Sequence, residues 1–237
     1  MTAMTSRERM LGRLRAAAPI DSTVGRAGID GRIAMHYALA RQPASVADLA
    51  QQMVRAMSAS RADVWCATED EWPAQLALKL AEHGARRVLL DPAGKEGAAL
   101  QKALPSSVDP MPFARPLEAW KSALFDTVDA GFTVARSGIA ATGTLILAPD
   151  AGTPRTVSLA PPLHVALVYA STLFPDMHAA VRAERWSAGM PANLVLASGP
   201  SKTSDIQQTL AYGAHGPRWM WVVIVMDAAT SMDGANT

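Results

Sequence analysis

The chain has 237 residues, 49% of them hydrophobic, enough for one large α/β domain or two small ones with a sizeable core. Lysine and arginine number 22 against 21 aspartates and glutamates, a net charge of +1, which argues against nucleic acid as the main partner because phosphate binding needs a basic excess. The longest apolar run, Trp219–Met226, is far short of a membrane span, and the single cysteine, Cys66, can form no internal disulfide and hold no four-cysteine iron–sulfur cluster.

Residues 1–60 read as a helical N-terminal extension and residues 61–237 as an α/β domain. The basic, alanine-rich start lacks an apolar h-region, so it reads as a helix rather than a secretory signal. With the lone thiol, a reducing cytoplasm is the simplest compartment. Ser6–Ala17 carries Met10, Leu11 and Leu14 on one face. Thr23–Gln42 is rich in glycine and arginine and reads as an extended or partly ordered arm. Residues 1–42 are therefore expected to be the least ordered part, able to order against a second subunit. Ala44–Ser60 is the clearest helix, with Val46, Leu49, Ala50, Met53, Val54 and Met57 in one apolar stripe and Ser45 with Asp48 as a capping box.

From Asp63 onward strands and helices alternate. Val64–Ala67 and Arg87–Leu90 read as strands, Glu71–His83 as a helix stopped by Gly84, and Gly94–Leu104 as a short helix. Ala123–Val134 looks strand-like. Thr144–Ala148, Val165–Tyr169, Leu194–Ala197 and Met220–Met226 are apolar strands, and Pro175–Arg185 and Ser204–Tyr212 are helices. The pattern predicts a mostly parallel sheet covered on both faces, partly antiparallel around Gly131–Leu159, where strands follow one another without a helix.

The segment Ser198–Asp205 carries the strongest chemical signal. Leu194–Ala197 is expected to deliver the chain to the carboxyl edge of the sheet, where open α/β folds bind ligands. Gly199 allows a close turn and Pro200 stiffens it. Ser201, Thr203 and Ser204 offer hydroxyls, Lys202 a cation, Asp205 a first-turn anion, and Ser204 with Gln207 a capping box. Together these predict an anion site at a helix start, against the plainer reading of a well-capped helix. Ser201 as a nucleophile is disfavoured, because a nucleophile elbow wants glycine where Thr203 stands. Thr142, Gly143 and Thr144 form either a second lobe of a ligand cradle or a tight entry to a strand. Arg155, read as a loop residue, suits an oxyanion. Neither a dinucleotide fingerprint nor a P-loop is present, and the five histidines show no zinc-site spacing, so no metal is expected. His164 and His215 are further candidates. If the strands at Leu194 and Met220 run parallel, the intervening helix carries His215 to the edge opposite Lys202; an antiparallel last strand or oligomerisation weakens that objection.

The motifs GIAATGTLIL, Arg155 with SLAPPLHVALV, SGPSKTSDI and GAHGP, in that order across residues 60–226, resemble the LUD-domain family. The family pattern usually has glutamate where Ala141 stands and valine where Ala214 stands. The resemblance implies a three-layer, Rossmann-like sheet of the NagB/RpiA/CoA-transferase type. It also implies oxidation of L-lactate to pyruvate by a complex in which this chain sits beside two iron–sulfur partner proteins. On that reading the chain binds no cofactor itself, the clusters belong to its partners, and its ligand is a small carboxylate or phosphate. Matching positions are Thr142, Gly143, Thr144, Arg155, His164, Gly199, Ser201, Lys202, Thr203, Asp205, His215 and Gly216, with no catalytic residue assigned. The rival readings are a regulatory or assembly protein that binds a ligand without chemistry, and a stand-alone transferase or isomerase on phosphorylated or CoA-linked substrates. A homo-oligomer is compatible with each.

Overall fold

The structure, a computed structural model, describes residues 5–17, 25–41, 43–204 and 210–227. The chain divides into two compact units between residues 42 and 43. The first holds helices α1 (Ser6–Ala17) and α2 (Arg26–Ala40). The arm expected over Thr23–Gln42 is thus helical through its centre. Alanine, isoleucine, methionine and leucine outweigh Gly28 and Gly31, which cost about 1 kcal/mol each relative to alanine. Ile29, Ile33, Met35 and Leu39 remain exposed on α2.

The second unit runs α3 (Val46–Ala59), β1 (Asp63–Thr68), α4 (Trp72–Glu82), β2 (Arg87–Leu89), α5 (Lys95–Ala103), β3 (Asp109–Met111), α6 (Lys121–Thr127) and β4 (Ala130–Val134). It continues through β5 (Ser137–Ile139), β6 (Thr144–Leu147), α7 (Arg155–Leu159), β7 (Leu163–Tyr169), β8 (Leu173–Phe174) and α8 (Met177–Ala183). The last strands are β9 (Val195–Ala197), β10 (Lys202–Ser204), β11 (Leu210–Tyr212) and β12 (Trp219–Met226). The central six-stranded sheet has the order β1-β12-β7-β4-β2-β3 and is parallel throughout. A four-stranded sheet of order β8-β5-β6-β9 and a β10–β11 hairpin hold the antiparallel pairs. The antiparallel character expected near Gly131–Leu159 therefore lies in a second sheet.

Alternation along β7 and β12 explains the layers. Val165, Leu167, Trp221, Val223 and Val225 pack against Trp72, Leu76, Leu80 and Leu100 of α4 and α5. Ala166, Val168, Met220, Val222 and Ile224 pack on the other face with Leu49, Met53 and Met57 of α3 and Leu145 of β6. Both faces are covered, so these strands read as continuous apolar runs, and each large side chain stabilises the fold by about 1.5–3 kcal/mol. The stripe on α3 is part of this core, so the helix belongs to the second unit. Its start is the expected capping box: Ser45 Oγ accepts from the Asp48 N–H at 3.2 Å, and the Asp48 carboxylate accepts from the Ser45 N–H at 2.9 Å. On the outer face of the small sheet, Ile139 and Ile146 pack with Ala180 of α8.

Three local expectations change. The strand-like stretch Ala123–Val134 is strand only from Ala130; its first half is α6, held by burial of Leu124 against Trp120. Helix α8 begins at Met177 rather than Pro175, because Asp176 takes the cap and accepts the Ala179 N–H at 2.8 Å. The helix expected over Ser204–Tyr212 is replaced at its described ends by hairpin strands β10 and β11. Its base is clamped by the Ser201 N–H donating to Pro217 O at 2.8 Å and the Gly213 N–H donating to Ser201 O at 3.0 Å.

Candidate functional site

The hairpin moves the site. β9 belongs to the small sheet and does not reach the carboxyl edge of the parallel one. A cavity of about 220 Å³ opens instead beside the amino ends of β7 and β12, lined by Arg155, Ser158, His164, Ser198, Ser201 and His215, with Gly199, Gly216 and Pro217 in its walls. Helix α7 brings Arg155 and Ser158 there. It can lie directly on β4 because Gly131 has no side chain: a Cβ would sit 2.0 Å from the Val157 carbonyl oxygen. Arg155 is thus the first residue of a short helix and not a loop residue.

His164 enters from the second position of β7, in register with Gly131 on β4 and Met220 on β12. It is 2% exposed, and its Nε2 lies 2.8 Å from Thr133 Oγ1. Burial lowers its pKa to about 4, so the ring is neutral at pH 7. The permanent positive charge comes from Arg155, which has no ion pair among the described residues. Ser201 and His215 share the cavity although the helix argument had separated His215 from the turn; a hairpin carries the chain back where a helix would have carried it away. Ser201 Oγ makes no hydrogen bond to either histidine among the described residues, so no nucleophile–base pair is assembled.

Lys202 lies elsewhere. It lines a neighbouring cavity of about 580 Å³ with Ser60, Arg61, Pro200 and Tyr212, and the two cavities share Leu196, Ser198 and Gly199. The backbone of Ser201–Ser204 is engaged in the hairpin and its base, so the free N–H groups of a helix start are not offered by the described residues. Thr203 pairs with Ala211 and lines neither cavity. Asp205 and Gln207 lie outside the described residues. Gly199 has φ +153°, and a Cβ there would meet Ser60 O at 2.9 Å. This close approach holds the β9–β10 turn against the end of α3.

Thr142, Gly143 and Thr144 line neither cavity. Gly143 has φ +59°, and its turn packs so closely on α3 that a Cβ would lie 2.7 Å from the Met57 amide nitrogen. The threonines nevertheless reach the site indirectly. Thr142 Oγ1 is 2.7 Å from Thr144 Oγ1, which is 2.8 Å from Ser198 Oγ at the junction of the cavities. Ser158, Ser198, Arg61 and Tyr212 had not been singled out. Ser158 opens the stretch SLAPPLHVALV and Ser198 opens SGPSKTSDI, so both stand inside segments legible in the sequence, whereas nothing in the sequence marks Arg61 or Tyr212.

The carboxyl edge of the sheet has the opposite electrostatics. A cavity of about 160 Å³ between β2 and β4 is lined by Asp91, Glu96 and Asp150. Tyr169 donates to Glu96 at 2.7 Å, and its hydroxyl is pushed far above its usual range by burial, by that bond and by the charges of Glu96, Glu69 and Asp227. Among the described residues an anion finds no cationic partner in that lining, whereas Arg155, Arg61 and Lys202 face the two cavities at the other end. Among the described residues no cluster of histidine, cysteine and carboxylates could hold a metal ion, and no helix is long and apolar enough to cross a membrane.

Fold and site define a parallel α/β domain with a cation-lined cleft at the amino ends of its central strands. A family model for the LUD domain matches residues 49–225, and the chain belongs to that family. It is 42% identical over 174 residues to an uncharacterized protein of Neisseria meningitidis serogroup B, covering 72% of this chain and 74% of that protein. It is 34% identical over 106 residues to lactate utilization protein C of Halalkalibacterium halodurans, covering 43% of this chain and 46% of that one. The protein of the same name from Shouchella clausii is 34% identical over 105 residues. The match thus spans less than half the length of these named relatives. The crystal structure of a DUF162 family protein from Deinococcus radiodurans superposes with a TM-score of 0.57 at 25% identity, covering 77% of this chain and 99% of that one.

Proposed function

We propose that the protein serves lactate utilization as the cluster-free subunit of an iron–sulfur system that converts L-lactate to pyruvate, and that it holds a small carboxylate in the cavity at Arg155. The observation that carries this is the cavity itself: a guanidinium with no ion pair among the described residues, a buried neutral histidine and three serines around about 220 Å³. That is below the roughly 300–1,000 Å³ of pockets for drug-sized ligands and suits a three-carbon acid. The Arg155 fork takes the carboxylate. Serine hydroxyls and the neutral His164 then meet the adjacent hydroxyl or keto oxygen, where a second cation would add charge but no directionality.

The names of the lactate utilization proteins C support the pathway. The lone Cys66 supports the division of labour, since electrons leaving lactate need carriers that one thiol cannot ligate. Two iron–sulfur proteins would supply them. The test has two arms. The tagged chain is purified from its native cell, and what accompanies it is assayed for iron, sulfide and lactate-dependent dye reduction. The isolated chain is titrated calorimetrically with L-lactate and pyruvate. We expect cysteine-rich partners in the first arm, saturable binding in the second, and neither iron–sulfur cluster nor flavin in the isolated chain. Absence of binding to both acids sinks the site assignment, and lactate oxidation unaffected by deletion of the gene sinks the pathway.

A further inference from the structure

Helix α3 ends in a turn that ordinarily takes glycine. The Ala62 N–H donates to Met57 O at 3.1 Å and the Arg61 N–H donates to Ser58 O at 2.9 Å. This bond pair forces the residue after the cap into the left-handed region, and Arg61 has φ +67°. Glycine adopts that conformation without strain and arginine does not. A side chain kept at such a position has work that offsets the strain, and functional sites are where such residues collect.

The Arg61 side chain leads into the larger cavity. Its guanidinium lies 4.8 Å from the centre of the Tyr212 ring. Tyr212 stands opposite Lys202 in the β10–β11 register, so cation, aromatic ring and cation line one wall of about 580 Å³. Neither Arg61 nor Lys202 has an ion pair among the described residues. Arginine stacked on a ring keeps its edge donors free for oxyanions, and lysine adds a point charge beside it. Among the described residues no carboxylate lines either lobe. The shared wall of Leu196, Ser198 and Gly199 sets this lobe directly beside the carboxylate cavity.

We propose that Arg61 and Lys202 form a phosphate subsite, and that the ligand of this cleft is an organic acid bearing a phosphate arm, its carboxylate at Arg155 and its phosphate in the outer lobe. This deepens the carboxylate reading of the inner cavity and rests on it. The arm is either a phosphoryl group on the acid's hydroxyl or the phosphates of a nucleotide-type carrier thioesterified to a second carboxyl group of the acid, so that one carboxylate stays free for Arg155.

The test is calorimetric titration of the full chain and of Arg61→Gly, Lys202→Met and Arg155→Gln with L-lactate, pyrophosphate, 2-phospholactate and malonyl-coenzyme A, which keeps one free carboxylate, with thermal melts of each. The wild type should bind pyrophosphate, and at least one of the phosphate-bearing acids at least tenfold tighter than L-lactate. Arg61→Gly and Lys202→Met should each weaken the phosphate-bearing ligands about tenfold and leave L-lactate unchanged. Arg61→Gly should melt at the wild-type temperature or above it, because glycine relieves the turn. The preferred acid tells a phosphoryl group from a carrier. Failure of L-lactate to bind any form defeats the inner-cavity reading, while pyrophosphate reports on the outer lobe alone. The proposal is overturned if neither phosphate-bearing acid binds tighter than L-lactate, or if Lys202→Met binds them as the wild type does. A lower melting temperature for Arg61→Gly assigns the arginine to the fold and overturns its role here.

Discussion

The Thr133 hydroxyl and Nε2 of His164 lie 2.8 Å apart across the β4–β7 pairing, with Thr133 6% and His164 2% exposed. A hydroxyl that can donate or accept satisfies a neutral imidazole, but this pair gives an imidazolium no counter-charge. Burial accordingly lowers the histidine pKa from 6.5 to about 4. The unfolded chain then binds more protons than the folded one between those values, so stability is full above about pH 6.5 and falls as the pH drops toward 4. From pH 7 to pH 5 this group should cost about 2 kcal/mol. Urea unfolding of the wild type and His164→Gln at both pH values checks it. The wild type should lose that much more than the variant, and parallel losses in the two proteins would refute the assignment.

Arg155 should act through the shape of its donors as well as its charge. Arg155→Lys keeps the charge and loses the bidentate fork. A charge-assisted contact is worth roughly 1.5–3 kcal/mol, so carboxylate binding should weaken about tenfold or more. The exposed side chain has no ion pair among the described residues, so the melting temperature should stay within error of the wild type. Equal affinity of the two proteins for L-lactate and pyruvate removes Arg155 from the site.

Gly143 should be a structural requirement. Any side chain meets the Met57 amide nitrogen at 2.7 Å and Ala56 at 2.9 Å, on a left-handed backbone. Gly143→Ala should therefore destabilise the domain by about 1–3 kcal/mol through backbone strain, with overpacking against α3 added to it. Chemical denaturation measures this directly, and a variant as stable as the wild type would show that α3 can yield.

Ala141, where the family pattern has glutamate, should tolerate that residue. It is exposed, lines neither cavity, and is held by its N–H donating to Pro175 O at 3.1 Å, a bond that does not depend on the side chain. Ala141→Glu should change stability by no more than about 0.5 kcal/mol. Anion affinity should be unaltered in calorimetry, and a tenfold change would place this position within reach of the ligand.

Much of the architecture was legible because it is written in local patterns. The α3 stripe, its Ser45–Asp48 box, the stop at Gly84 and the apolar runs of β7 and β12 each follow from periodicity or backbone chemistry confined to a few residues. The site was half legible. Arg155, His164, Gly199, Ser201 and His215 do line one cavity, but its place at the amino ends of the strands was not readable. That depended on whether SKTS opens a helix or a hairpin, and the deciding bonds, Ser201 to Pro217 and to Gly213, join residues far apart in sequence. Arg61 escaped notice for a related reason. A turn at φ +67° is recognised from sequence when glycine fills it and is silent when arginine does.

The sheet order places β12 between β1 and β7, so β1, on the edge, pairs with the final strand of the described fold. During synthesis, residues 63–68 leave the ribosome long before their partners at 221–226 exist. The apolar faces of β7 and of the α3 layer stay open through the same interval. Completion of this domain is therefore a single late closure over a long stretch of chain, which makes folding slow and gives chaperones a defined window of exposed surface to guard. A nascent chain halted before residue 219 should be digested readily by protease, while one released past residue 226 should resist, with little gradation between them.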